Sequence, residues 1–296
     1  MIPITMYSAS TVRRQRGASL IMRKPILSLA LMLLVSAASR AQGSQSGPNR
    51  FVVPLSKPGQ AVRLEVSLIS GSISVEPHTG NEVVVEAVGN DDDEREHRAP
   101  SGNASGMRRL PNRSLGLVVE EENNKVTVGM GGMPRDVTLR IQVPRQSSVS
   151  LSTVNDGDIH VQGLEGDLEL NNVNGEITAK DVAGSVVAHT TNGDVKVTMT
   201  RVDAKAALAF ATLNGNVDVS LPGSSRGDLR MRSDNGEIYT DFDVQLSPSP
   251  AKVEQQRQGG KYRLEVEQEV RGTIGGGGPE IQLRTFNGDI YLRKRG

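Results

Sequence analysis

Carboxylate and amide side chains follow the glycine of a recurring turn at six places. They are Asp158, Glu176, Asp194, Asn216, Glu237 and Asp289. If these turns stack, the six side chains form a column of oxygen atoms along one edge of the fold. Hard cations such as calcium take several carboxylate and carbonyl oxygens as ligands. The candidate ligands of such a cation edge are Asp158, Glu176, Asp194, Glu237 and Asp289.

The turn chemistry favours a structural role for the same column. Each carboxylate would accept a hydrogen bond from a turn N–H group, and the asparagines would form an amide ladder, because asparagine tolerates turn conformations. The ladder residues are Asn174, Asn192, Asn214 and Asn235. Calcium-binding nonapeptides read Gly-Gly-x-Gly-x-Asp, whereas here the acidic residue follows glycine directly. We therefore predict no resident metal and no cofactor.

Other polar clusters lack the spacing that a site requires. The acidic run at 91–96 has no spaced ligands and no terminal bidentate glutamate. Gly275–Gly278 is not followed by Gly-Lys-Ser/Thr, as a phosphate loop would be. None of the histidines has metal-ligand spacing, and two of them fall at outward-facing positions. The histidines are His78, His97, His160 and His189.

Polysaccharide cleavage requires two carboxylates in distinct environments, usually beside residues that hold the sugar. The carboxylate column offers many pairs and distinguishes none. The chain has no Trp, four Tyr and four Phe, so few rings can stack on sugars or bases. We predict a non-enzymatic protein with no catalytic residues; a polysaccharide-active enzyme that uses paired carboxylates is the alternative.

A nine-residue repeat runs through the centre of the sequence. Glycines stand at 157, 166, 175, 184 and 193, and the second and fourth residues after each glycine are apolar. This alternation is typical of a half-buried strand. Asn-Gly or Asp-Gly turns recur at every second repeat, so the full period is 18 residues. Further Asn-Gly turns follow at 214, 235 and 287.

The 18-residue period favours a coil that returns to the same edge once per circuit. We predict an all-β fold, a single-stranded parallel β-helix (β-solenoid) with two short strands per coil of about 18–22 residues. An antiparallel sandwich is the competing fold. The final strand would cap the solenoid end, with Arg293, Lys294 and Arg295 discouraging edge pairing.

Composition excludes several classes of protein. Lys+Arg and Asp+Glu both number 34, so the formal net charge is zero, which disfavours a nucleic-acid partner. Cysteine is absent, which excludes disulfides, thiol nucleophiles and iron–sulfur clusters.

The N-terminal region has the pattern of a secretory signal. Arg23 and Lys24 precede an apolar run at 25–38, too short for a comfortable membrane span, and small residues lead to cleavage after Ala41. We expect a leader at 1–41, with Met22 as an alternative start, and a linker at 42–50. The solenoid domain would occupy 51–296, with a polar loop at 89–113 and an insertion at 243–280. Its compartment would be extracytoplasmic: periplasm, cell surface or medium.

Three segments carry a resemblance to a known family: DVTLRIQVPRQSSVSLSTVNDGDIHV, GLEGDLELNNVNGEITAKDVAGSVVAHTTNGDVKV and FNGDIYLRK. They resemble the bacterial domain family described as "putative adhesins", and the resemblance covers roughly 65–295 of the chain. It implies a glycine-turn β-helix that is secreted or attached to the envelope. It brings no catalytic residues.

Together these features favour an exported, non-enzymatic binding or scaffold protein of the cell envelope. Its polar faces would contact an envelope glycan or protein, with no nucleic-acid partner and no stable membrane span after signal cleavage. A structural or stress-signalling envelope module is a further alternative.

The predicted strand register can be tested with two substitutions. Ile177→Asp places a charge in the core and should unfold the neighbouring coils, whereas Lys196→Ala changes an outward side chain and should change stability little. Thermal unfolding of both variants provides the measurement. Equal losses would show that the register is wrong.

Overall fold

The computed structural model describes residues 49–89, 116–131, 136–248, 252–258, 261–267 and 269–295, and all of them belong to one unit. These residues form strands and no helix. Two large sheets, A and B, contain almost all of the strands. The predicted leader, and all of the predicted polar loop except Gly89, lie outside the described residues.

Sheet A contains β1 (Arg50–Pro54), β3 (Ile73–His78), β4 (Glu82–Gly89), β7 (Val137–Pro144), β9 (Ile159–Gln162), β11 (Ile177–Ala183), β13 (Val195–Arg201), β15 (Val217–Pro222), β17 (Ile238–Thr240) and β23 (Ile290–Arg295). Sheet B contains β2 (Val62–Ser67), β5 (Leu117–Glu122), β6 (Lys125–Met130), β8 (Ser147–Thr153), β10 (Leu168–Asn172), β12 (Val186–Asn192), β14 (Leu208–Asn214), β16 (Gly227–Asn235), β18 (Gln245–Ser247), β21 (Val270–Ile274) and β22 (Glu280–Asn287). β19 (Lys252–Gln258) and β20 (Lys261–Glu267) form a separate antiparallel hairpin.

Period-2 alternation places one face of each central strand in the core. In β7, Val137, Leu139, Ile141 and Val143 are buried, while the residues between them are not. All ten residues of the two predicted apolar columns are at most 2% exposed. The core is mainly aliphatic, and Phe210 is its one fully buried aromatic residue among the described residues. Burying each such side chain contributes about 1.5–3 kcal/mol.

The central strands form coils, each with one strand in sheet B followed by one in sheet A. Ile177 of β11 lies beside Ile159 of β9 and Val195 of β13, and every pairing between successive coils is parallel. The described residues contain eight such coils: β6/β7, β2/β3, β8/β9, β10/β11, β12/β13, β14/β15, β22/β23 and β16/β17. Equivalent residues thus stack in columns along the sheets.

The coils do not stack in chain order at either end. Coil β2/β3 lies between β6/β7 and β8/β9, and coil β22/β23 lies between β14/β15 and β16/β17. The Asn-Gly turns therefore follow one another in space as 214, 287, 235. Closing a loop of 73 residues in place of one of 21 costs only about 1 kcal/mol more, so packing can override chain order.

The all-β class is confirmed, but the prediction of a single parallel β-helix is corrected, because both sheets are mixed. β4 pairs antiparallel with β1 and β7, and β5 pairs antiparallel with β6. At the other end, β21 pairs antiparallel with both β16 and β18. Part of the predicted insertion thus joins sheet B. These antiparallel strands cover edges that the parallel coils would leave unpaired.

The predicted C-terminal cap is wrong, because β23 is an interior strand between β15 and β17. Arg293 donates to Asp218 at 2.9 Å and lies over the Tyr291 ring, and Arg295 contacts Asp181 at 2.7 Å. These cations are paired across strands. At this end the edge of sheet A is β17, whose three residues make a short edge.

Glycine is required at the stacked turns by direct contact between main chains. Gly193 has a φ of 142°, and a Cβ added to it would overlap the carbonyl oxygen of Gly175 in the coil below.

Gly193→Ala should therefore lower the free energy of unfolding by at least about 2 kcal/mol. Gly223→Ala is the matched control, because a Cβ there meets nothing within 4 Å. Urea unfolding measures the free energy of unfolding of both variants. Equal stability of the two variants would refute the stacking geometry.

Candidate functional site

The Asn-Gly turns stack along one edge of the fold, here called the turn edge. Asn192 donates from Nδ2 to Asn174 Oδ1 at 2.7 Å, and Asn214 donates to Asn192 at 2.7 Å. The ladder continues through Asn287 to Asn235, with distances of 2.7 and 3.0 Å. The predicted amide ladder is present, with Asn287 as an additional member. Backbone bonds run beside it, because each interior turn glycine donates its N–H to the asparagine carbonyl of the next coil.

The predicted carboxylate column lies beside this ladder on the turn edge. Asp158 Oδ1 accepts from the Glu176 N–H at 2.8 Å, and Asp194 Oδ1 accepts from the Asn216 N–H at 2.8 Å. Asn216 and Asp289 accept in the same way from the N–H groups of Asp289 and Glu237, both at 2.8 Å. These four oxygens therefore hold the next turn, which is the structural role favoured by the sequence.

Positive charge balances the middle of the column. Lys196 Nζ lies 2.7 Å from Glu176 and 3.4 Å from Asp194. Partial burial opposes ionisation of Glu176, but hydrogen bonds from Lys196 and Thr178, with the Lys196 charge, outweigh it and lower the pKa of Glu176. The hydrogen bond to Glu176 raises the pKa of Lys196. Lys196 is thus a bridging residue, a role that the sequence pattern did not indicate.

The structure brings the five candidate cation ligands onto one edge but does not gather them into a cluster. Among the described residues, no group of three or more His, Cys, Asp or Glu side chains is close enough to hold a metal ion. Further along the edge, Tyr291 donates its hydroxyl to Asp289 at 2.9 Å. The absence of a resident metal stays a prediction, and a cation edge stays its alternative.

A buried column of side-chain donors lies behind the turn edge, and sequence reasoning missed it. Thr212 donates to the Gly193 carbonyl at 2.8 Å, and Thr285 donates to the Gly215 carbonyl at 2.9 Å. Each member stands two residues before the turn asparagine or its equivalent, so the signal was present in the sequence. The column consists of Thr153, Asn172, Thr190, Thr212, Thr285 and Ser233.

A second feature missed by sequence reasoning is a trough that runs from the turns between sheet A and sheet B onto the outer face of sheet B. It consists of two adjoining cavities of about 490 and 470 Å³, which share Ser148, Asp167 and Ser185. Small residues line it, including Ser150 on β8 and Gly184 in the turn between β11 and β12. Outward residues that stack along it differ in type from coil to coil, as Ser150, Glu169 and Val187 do, so they show no repeat.

Charged side chains of both signs surround this trough. Arg201 pairs with Asp203 at 2.7 Å, and Arg63, Lys205 and Glu169 also line it. Ser148 Oγ accepts from the Asp167 N–H at 3.1 Å, which orients one hydroxyl of the floor. The trough thus presents hydroxyls, carboxylates and cations close together.

Outward placement of His160 and His189 is confirmed, since both are exposed.

Residues 223–227 read Gly-Ser-Ser-Arg-Gly, the spacing of a serine nucleophile elbow. The segment joins strands β15 and β16, however, whereas an elbow leads from a strand into a helix. The buried Ser225 Oγ has no hydrogen-bond partner among the described residues, so no general base is in place to activate it.

Asn172 is the amide member of the buried donor column. Its Nδ2 donates to the Gly157 carbonyl at 2.8 Å, but its buried Oδ1 has no partner among the described residues. Asn172→Thr would match its neighbours in the column and remove this acceptor, so we expect the free energy of unfolding to rise by about 1–2 kcal/mol. Chemical unfolding provides the measurement.

Asn171→Thr is the matched control, because Asn171 lies in the same strand but faces outward. It shares the change in strand propensity, so the difference between the two variants isolates the buried acceptor. A gain of equal size in both variants would contradict the prediction.

Two solved structures are similar to this chain over most of its length. A "putative cell adhesion protein" from Clostridium sporogenes is 11% identical, with a TM-score of 0.40 over 84% of this chain and 100% of that chain. A "putative adhesin" from Bacteroides fragilis is 10% identical, with a TM-score of 0.36 over 84% of this chain and 98% of that chain. No curated protein sequence matches significantly.

The described residues contain no helix of the length and hydropathy that a membrane crossing requires.

The family model described as Toastrack DUF4097 matches residues 63–293, which include all eight coils except the first residue of β2 and the last two of β23. The chain belongs to the Toastrack DUF4097 family.

Proposed function

We propose that this chain is an exported, non-enzymatic binding protein of the cell envelope, which holds an extended envelope glycan in the trough of sheet B. The trough itself carries the proposal: two adjoining cavities on a rigid sheet, lined by hydroxyl and charged groups. Export is proposed from the signal-like segment before residue 42.

The position of the trough favours a glycan over a peptide. Its second cavity lies on the face of sheet B, where main-chain N–H and C=O groups are used in pairing with neighbouring strands. A peptide could not add there as a further strand. A glycan offers many hydroxyls, which can bond to Ser148, Ser150, Asp167 and Glu169.

The carboxylate column does not favour the alternative of a polysaccharide-cleaving enzyme. A general acid in such an enzyme needs a raised pKa. In this column the pKa of Glu176 is instead lowered. Asp158 and Asp194 are committed to backbone N–H groups.

The proposal is tested by co-sedimentation of the chain from Gln42 onward with insoluble polysaccharide and, separately, with the protein fraction of the source organism's envelope. We expect saturable binding to the polysaccharide. Ser150→Tyr fills the trough with a side chain that suits a strand and should weaken binding at least about tenfold, or about 1.4 kcal/mol.

Ser74→Tyr is the matched control, because Ser74 lies on a central parallel strand of sheet A and is also partly exposed. Equal weakening by both variants would show that binding does not use the trough. Binding to the protein fraction alone would replace the glycan with a protein partner. Loss of binding in chelator, restored by calcium, would assign a role to the carboxylate column.

A further inference from the structure

Five Asn-Gly pairs lie on the turn edge, and Asn-Gly is the sequence most prone to spontaneous deamidation. They are the pairs at 174–175, 192–193, 214–215, 235–236 and 287–288. In this reaction the glycine backbone nitrogen attacks the asparagine Cγ, and the new C–N bond closes a succinimide while ammonia leaves. Water then opens the ring to aspartate or isoaspartate. Glycine favours the attack because it has no side chain to obstruct it.

The stack obstructs this attack at four of the five pairs, namely all except 235–236. The N–H groups of Gly175, Gly193, Gly215 and Gly288 donate to asparagine carbonyls of the next coil at 2.8–3.1 Å. The side-chain amides of Asn174, Asn192, Asn214 and Asn287 both donate and accept. Attack would require the glycine nitrogen and the amide to leave these bonds and rotate together.

Residues 235–236 lie in β16/β17, the last coil of the stack, where the pattern ends. Asn235 donates to Asn287 at 3.0 Å, but its Oδ1 accepts no hydrogen bond from a described residue. Gly236 N–H likewise has no partner among the described residues. Both residues are exposed, whereas the other four turn glycines are partly buried.

We propose that Asn235 is the deamidation site of this protein, through a succinimide formed with Gly236, and that the stack protects the other four pairs. Each retained hydrogen bond slows the attack by up to about tenfold. An isoaspartate at 235 would route the main chain through Cβ and Cγ, adding one methylene, and would turn the carbonyl that accepts the Gly288 N–H into a free carboxylate. The modification would therefore loosen the last coil.

The test is incubation of the native full chain in mildly alkaline buffer, followed by digestion after lysine and arginine and mass spectrometry. Each pair falls in its own fragment, namely 146–180, 181–196, 206–226, 233–252 and 285–293. We expect deamidation of fragment 233–252 to be at least about tenfold faster than that of the other four. Asn235→Gln should abolish the signal from that fragment.

The same incubation in guanidinium chloride is the control for local sequence. The five pairs should then react at similar rates, because no stack remains. The proposal is overturned if Asn235 is no faster than the other pairs in the native protein. It is also overturned if Asn235 keeps the same advantage in the unfolded chain.

Discussion

Contact between the main chains of stacked turns is the constraint on which the structure depends. At the turn edge, the glycine of one coil lies against the carbonyl of the glycine below it, at a distance that leaves no room for a Cβ. This contact fixes the spacing of the coils and brings each Asn, Thr and acidic side chain to its counterpart. The ladders are a consequence, because identical residues at one spacing bond to one another along the stack. Net gains of about 1 kcal/mol per bond add over eight coils.

The sequence predicts the repeated part of this arrangement because repetition makes the constraint visible. Glycines nine residues apart located the strands, and the columns that begin at Ile159 and Val161 are buried as expected. The asparagine ladder and the hydrogen-bonded carboxylates also followed from turn chemistry. The donor column at Thr190 and Thr212 obeys the same repeat, but a hydroxyl inside an apolar strand was not interpreted as a partner for a glycine carbonyl.

The parts that were missed or wrong depend on contacts that a periodic pattern does not record. A strand that fits the repeat can pair with any coil, so the positions of β22 and β23 in the stack could not be read from chain order. The antiparallel end strands follow from the need to cover open edges. The trough is lined by outward side chains that differ in type from coil to coil, such as Ser150, Glu169 and Val187, so the repeat does not reveal it.

The out-of-order coils place coil β2/β3 and coil β22/β23 inside the stack. Coil β22/β23 follows coil β16/β17 in the chain, yet β16/β17 has no parallel neighbour until β22/β23 is in place. The stack is therefore completed only when residues 280–295 are present. A chain cut short before residue 280 would lose an inner layer and leave a detached coil beyond it. Because β23 is an interior strand, digestion from its end must open the middle of sheet A before it removes the edge strand β17.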